Sequence, residues 1–453
     1  MFKKLIFGKR WGFIFHLLLG VLSVVSKWIL VAWFYAAFIW FVNRVLPTIR
    51  LRRSDWMIYL LMYFSGFEML TRILKTSPFI PYELGKYITF FILIVGLSVK
   101  KGFNTNGIII ILLMLPGIFI AIPVIKDYKS IIFNVFGMIN LGLGISFFSI
   151  TKINFNQLKI ALRILLLPLI SAVVYTILVT PSFDELEFKL SSITDTTGGF
   201  GANQVSTAFG LGMILVFIFW YRWEGFSGFP KWVDLIMAGV FLFQGLLTFS
   251  RGGIVGGIIT IIVLIFLSIF IRNSKVSAAK KSSKFLYILL AIPFISLTAI
   301  WVNDITGGIL LMRYQGESMG TLQGSKEKSL DHITTGRSTI FIEDIELFEE
   351  NPFLGVGVDQ SRFKRKDSKG VVAHVEFSRL LSEHGILGLI ICVFLTVELF
   401  RKLFNIRGSE VRMILFLMYL IGFYTTFHAA TRTFLSPLMM SLSYITVWIK
   451  RSV

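Results

Sequence analysis

Three side chains stand out from a largely apolar chain as candidates for chemistry: Arg251, Arg337 and His374. Arg251 lies in the run Leu246-Leu247-Thr248-Phe249-Ser250-Arg251-Gly252-Gly253, where two apolar stretches meet, and Gly256-Gly257 follow one turn later. An arginine fork beside free amides at a helix N-terminus suits an anion, above all phosphate. The glycines permit a tight turn and close approach of backbone to a ligand. The competing reading is an arginine snorkelling from a helix end. Arg337, in Thr335-Gly336-Arg337-Ser338, precedes an amphipathic segment from Ser338 to Glu350 with Ile340, Ile342, Ile345 and Leu347 among acids. Ser338 is the expected cap, and the alternative for Arg337 is an exposed side chain paired with Glu343 or Asp344.

His374, in Ala373-His374-Val375-Glu376-Phe377, can accept a proton from a hydroxyl near neutral pH; the alternative is a structural histidine. Of the others, His16 falls in an apolar span, His332 in mid-loop and His384 in a glycine-bounded turn, while His428, near a late turn, is the one rival. Glu376, Arg379 and Glu383 follow His374 about one helical turn apart; they either orient it and contact a ligand, or they form ordinary helix-end salt bridges. The cluster Arg362, Lys364, Arg365, Lys366 and Lys369 either attracts an anion or is a solvated face. His374 and Glu376 lack the Asp-rich neighbours of a metal site. No nucleophile elbow, phosphate-binding loop or dinucleotide fingerprint occurs.

Membrane helices must position these groups. The chain has 453 residues, 55% of them hydrophobic, with a mean hydropathy of +0.78, too apolar for a soluble protein of this length. Apolar runs of roughly 16–22 residues recur, each about long enough to cross a hydrocarbon core. They must be helical, because an unpaired amide in lipid costs several kcal/mol. The expected fold is an all-α polytopic membrane protein of about 12–14 transmembrane helices with one long, partly helical periplasmic loop. The first apolar stretch, from about Gly12 to Leu46, fits two helices turning near Ser26-Lys27.

The formal net charge of +20 sets orientation rather than pointing to nucleic acid, since no basic stripe interleaves with aromatics. Basic residues gather at Lys3 to Arg10, Arg50 to Arg53, Lys100-Lys101, Lys152 with Lys159, and Arg222 with Lys231. They recur at Arg272 through Lys284, Arg401 to Arg412, and Lys450-Arg451. Alternating spans place all of these, with both termini, in the cytoplasm. The opposite side receives Pro78 to Glu83, Pro181 to Gln204, the Ser250–Gly253 hairpin, a long segment from Asn303 to about Glu383, and a turn with His428 and Arg432. The expected division is 1–302 as transmembrane helices, 303–383 as a large extracytoplasmic loop over the active site, and 384–453 as C-terminal helices. One cysteine excludes an intramolecular disulfide, and no cleavable signal is expected at the N-terminus. Clean spans and the lack of an internal repeat count against the alternative of a flippase or transporter.

Taken in order, Thr248-Phe249-Ser250-Arg251-Gly252-Gly253, Gly336-Arg337, Asn351-Pro352-Phe353-Leu354-Gly355-Val356-Gly357 and the run from His374 to Gly388 resemble the O-antigen ligase and Wzy-type polymerase superfamily. The resemblance covers roughly the second half of the chain. Gly199-Phe200-Gly201-Ala202-Asn203 resembles, more loosely, a family feature in which an asparagine precedes a helix. The resemblance implies a GT-C-like fold and a metal-independent glycosyltransferase with no cofactor, acting in lipopolysaccharide biosynthesis at a bacterial inner membrane. It would move a glycan from an undecaprenyl-diphosphate carrier to an acceptor hydroxyl on the periplasmic side. Ligation to lipid A-core is the first reading, and polymerisation of repeat units the alternative. The implied partners are that donor, a glycan or lipid A-core acceptor, and the bilayer. On this pattern Arg251 and Arg337 contact the diphosphate and His374 activates the acceptor, while Asn203, Glu376, Arg379 and Glu383 bind or orient substrate. Many members carry asparagine after the histidine; here it is Val375.

Overall fold

The computed structural model describes residues 1–50, 55–100, 102–124, 128–270, 278–324, 334 and 336–449. His332, Thr335 and the basic residues Arg52, Arg53, Lys101, Arg272, Lys275, Lys450 and Arg451 lie outside the described residues. Apart from two three-residue strands, Lys152–Asn154 and Thr446–Trp448, the regular structure among the described residues is helical. This is what a backbone in lipid requires, since a helix satisfies its own amides. Six described helices are long and apolar enough to cross a membrane: Lys27–Ile49, Tyr128–Ser149, Phe155–Val179, Ala202–Arg222, Arg251–Ile269 and Glu376–Phe404. Five more, Lys9–Val25, Leu84–Lys100, Thr105–Ala121, Lys231–Leu247 and Glu410–Thr426, have 17 residues each, at the lower limit for a span. The chain is thus an all-α, multi-pass membrane protein. The first apolar stretch divides at Ser26, which is extended between the helices Lys9–Val25 and Lys27–Arg50.

Two compact units form, and the loop expected over 303–383 is shared between them. The first comprises Met1–Ile88, Ile153–Tyr314 and Trp448–Val453; the second comprises Thr89–Lys152 and Gln315–Val447. At the centre of the first, Ala202–Arg222 packs against Lys231–Leu247 and Arg251–Phe270. The contact is close because Gly210 faces Gly253, where an added Cβ would lie 2.2 Å from the Ser206 carbonyl carbon.

In the second unit, Tyr128–Ser149, Thr105–Ala121, Glu376–Phe404, Glu410–Thr426 and Leu435–Leu442 share a core that includes Met138, Leu141, Leu395, Tyr419 and Met440. The helix Glu376–Phe404 is broken at Gly385, whose φ of 60° and ψ of −138° are non-helical. The segment Asn351–Gly357 repairs the break. Val356 and Gly357 amides donate to the carbonyls of Ser382 (2.8 Å) and Glu383 (3.1 Å), and Ile386 donates to the Pro352 carbonyl (2.7 Å). The approach leaves no room for side chains: a Cβ on Gly355 would sit 2.4 Å from the Glu383 carbonyl carbon, and one on Gly385 2.6 Å from the Phe353 carbonyl carbon. The motif read in sequence as a family signature therefore works as a backbone splint.

The loop helix runs Arg337–Glu350, close to expectation, but its buried face differs. Ile340, Glu343, Asp344 and Leu347 face inward and Ile342 is exposed. Acids can occupy that face because each is met by donors. Asp344 takes two bonds from Arg365 (2.9 and 2.8 Å) and one each from Ser378 (2.7 Å) and Ser382 (3.2 Å). Glu343 accepts from the amides of Lys366, Asp367 and Ser368. Ser338 is not the cap. Gly336 takes that place, and the Ser338 amide, inside the first turn, donates to the Thr334 hydroxyl.

Candidate active site

The second unit holds Arg337 and His374. Arg337, the first residue of the loop helix, donates from Nη1 to His428 Nδ1 at 2.9 Å. That bond requires Nδ1 of His428 to accept, which puts the ring's one proton on Nε2. Glu343 and Asp344, the alternative partners for Arg337, are engaged by the 366–368 amides and by Arg365. His428 is 4% exposed and sits on the turn between the helices Glu410–Thr426 and Leu435–Leu442. Further along the same turn, Arg432 donates from Nη2 to the carbonyl of Ala373, next to His374. The Thr431 amide donates to Glu376 Oε2 at 3.1 Å. Burial, with help from the Arg432 and Arg337 guanidiniums, lowers the His374 imidazole to about 3, so it stands neutral at pH 7, with a nitrogen lone pair open but its basicity reduced. Burial, and then the neighbouring Arg379, pushes Arg432 down to about 10, which still leaves it a cation at neutral pH.

Behind His374, Glu376, Arg379 and Glu383 are 0%, 4% and 2% exposed. Arg379 pairs with Glu376, lies 3.6 Å from Glu383, and donates to the Asn134 carbonyl at 3.0 Å. The three are engaged with one another and with the backbone. In the basic cluster, Arg365 is buried against Asp344, Arg362 pairs with Asp359 at 2.6 Å, and Lys366 reaches Glu346 at 3.3 Å. Lys364 and Lys369 are exposed, so the five cations do not act as one patch.

The first unit holds Arg251 and Asn203. Phe249 adopts a φ of 54°, in the left-handed region that is costly for a bulky residue. It turns the chain so that Ser250 donates to Asn203 Oδ1 at 2.7 Å and accepts, on its carbonyl, from Ser206 at 2.7 Å. Arg251 follows as the first residue of its helix and donates to the Arg313 carbonyl at 3.0 Å. Gly253 serves the helix contact described above rather than a ligand-facing turn.

Two features escaped the sequence reading. One is the engagement of His428 and Arg432. Their signal was an arginine on the side that the charge rule depletes, as for Arg251. The other is Arg72, in the first unit. It bonds Glu68 (2.6 Å), Glu83 (2.9 Å) and Gln204 (2.9 Å), beside Asn203. Glutamate and arginine four apart in an apolar helix were its signal. His16 is a satisfied core histidine, bonded to Tyr63 (3.0 Å) and to the Gly12 carbonyl (2.7 Å). Among the described residues, no group of three or more His, Cys, Asp or Glu side chains could hold a metal ion.

These observations define a class: a multi-pass helical membrane protein whose inter-helix loop brings guanidinium groups to a neutral imidazole. Residues 235–393, about a third of the chain, match the family model described as O-Antigen ligase. Over that stretch the chain is similar to the O-antigen ligase family, in agreement with the resemblance carried by its motifs. No curated protein and no solved structure matches it.

Proposed function

We propose that the protein is a glycosyltransferase that moves a glycan from undecaprenyl diphosphate to an acceptor hydroxyl at the periplasmic face of a bacterial inner membrane, ligating O-antigen to lipid A-core. The observation that carries this reading is His374 held neutral beside Arg337 and Arg432, in a chain that matches the O-antigen ligase family. The acceptor oxygen attacks the anomeric carbon, its proton passes to His374, and the bond from that carbon to the diphosphate oxygen breaks. The electron pair leaves with undecaprenyl diphosphate. Negative charge grows on the diphosphate as the bond breaks, and guanidinium groups placed there favour the transition state by several kcal/mol. The same anion opposes the two cations that depress His374, so donor binding raises the basicity of the imidazole as it is needed. Glu376, Arg379 and Glu383 hold the backbone that follows His374. Arg251 and Asn203 are assigned to donor binding from the family pattern.

The test is transfer in vitro by purified protein, from a polyprenyl-diphosphate glycan, with lipid A-core, free repeat units or a peptide as acceptor, with and without a chelator. Transfer to lipid A-core that survives the chelator is expected, with His374→Ala lowering it about 10²- to 10⁴-fold. Arg251→Ala and Arg337→Ala should lower it as well. Elongation of repeat units alone would make the protein a polymerase. Full activity in all three variants would remove the site assignment.

A further inference from the structure

The turn between Glu410–Thr426 and Leu435–Leu442 lies beyond the matched residues 235–393. It nevertheless meets the candidate site three times within five residues. His428 accepts from Arg337, Thr431 donates to Glu376, and Arg432 donates to the carbonyl of Ala373. One short turn thereby fixes the loop arginine, the start of the helix after His374 and the approach to His374 itself.

Charge around Arg432 is lopsided. Its hydrogen bond goes to a neutral carbonyl. The strongest charged influences on it are the guanidiniums of Arg379, Arg337 and Arg362 and the carboxylate of Glu376, and that carboxylate is itself paired with Arg379. A half-buried cation among like charges is relieved when an anion joins it. A two-phosphate group, with several acceptor oxygens, can answer two guanidiniums at once.

We propose that Arg432 is a further ligand of the donor's diphosphate beside Arg337, and that His428 is the positioning residue that aims Arg337 at the same anion. This deepens the transferase reading and rests on it. The carrier is recognised here by its diphosphate, so a short polyprenyl diphosphate is a sufficient probe.

The experiment titrates full-length protein in nanodiscs with farnesyl diphosphate and records the melting temperature of every variant. Wild-type protein should bind the probe. Arg432→Gln and Arg432→Met, the second of which keeps the apolar stem, should each weaken binding about 10- to 100-fold at unchanged melting temperature. His428→Leu should do the same, while His428→Gln, whose amide oxygen can accept from Arg337, should restore most of the affinity. That rescue separates positioning from mere packing. An Arg432 variant that melts and binds as wild type overturns the inference and leaves the transferase reading standing. Affinity lost only in step with melting temperature across all four variants also overturns it. Wild-type protein that binds no farnesyl diphosphate overturns both.

Discussion

His374 shows how much of a residue's role depends on its surroundings. Its type and its place near a loop end were legible, and so was the chemistry of imidazole. Its neutrality was not, because that comes from burial and from Arg432, which lies far along the chain. The depression has a measurable consequence. A histidine held near 3 in the folded chain, against an ordinary 6.5, binds its proton later than the unfolded chain does as pH falls. Its contribution to stability is therefore whole above 6.5 and lost progressively between about 6.5 and about 3. Melting temperatures measured across that window should fall less steeply in His374→Asn than in wild type. An identical slope in both would show that the imbalance lies elsewhere. Arg337 repeats the lesson: its type was legible as anion-binding, but its partner His428 belongs to a turn that only the folded chain brings near.

Elements were readable in proportion to how local their causes are. The helix over Arg337–Glu350 follows from periodicity, and its existence was legible. Which side faces inward was not, because the sequence reading counted aliphatic side chains while the fold buries Asp344 with Arg365 and leaves Ile342 outside. The break at Gly385 was equally hidden: a long apolar run reads as one helix, and only the carbonyls left open at the break explain why Asn351–Gly357 has its sequence. Gly355→Ala tests the point. At a φ of 70°, with its new Cβ 2.4 Å from the Glu383 carbonyl carbon, it should destabilise the fold by roughly 2–3 kcal/mol. A thermal melt in detergent checks this, and a wild-type melting temperature would mean that the splint tolerates a side chain.

At the scale of the whole molecule, composition says most. The apolar fraction points to a helical membrane protein without any structural information, and the distribution of 45 Lys and Arg residues predicts an orientation. Cysteine labelling reads that orientation directly, since the one native cysteine, Cys392, is buried. In intact spheroplasts, Lys369→Cys should react with a membrane-impermeant maleimide, while Asn405→Cys, equally exposed in the fold, should react only after lysis. The reverse pattern would invert the topology and place His374 in the wrong compartment for the proposed reaction. The splint at Gly385 also bears on how relatives with other acceptors can be recombined with this chain. Because residues 351–357 complete the hydrogen bonding of a helix some thirty positions later, an exchange ending at the membrane edge would separate two halves of one joint. A functional chimaera must carry both, with a crossover downstream of Gly388.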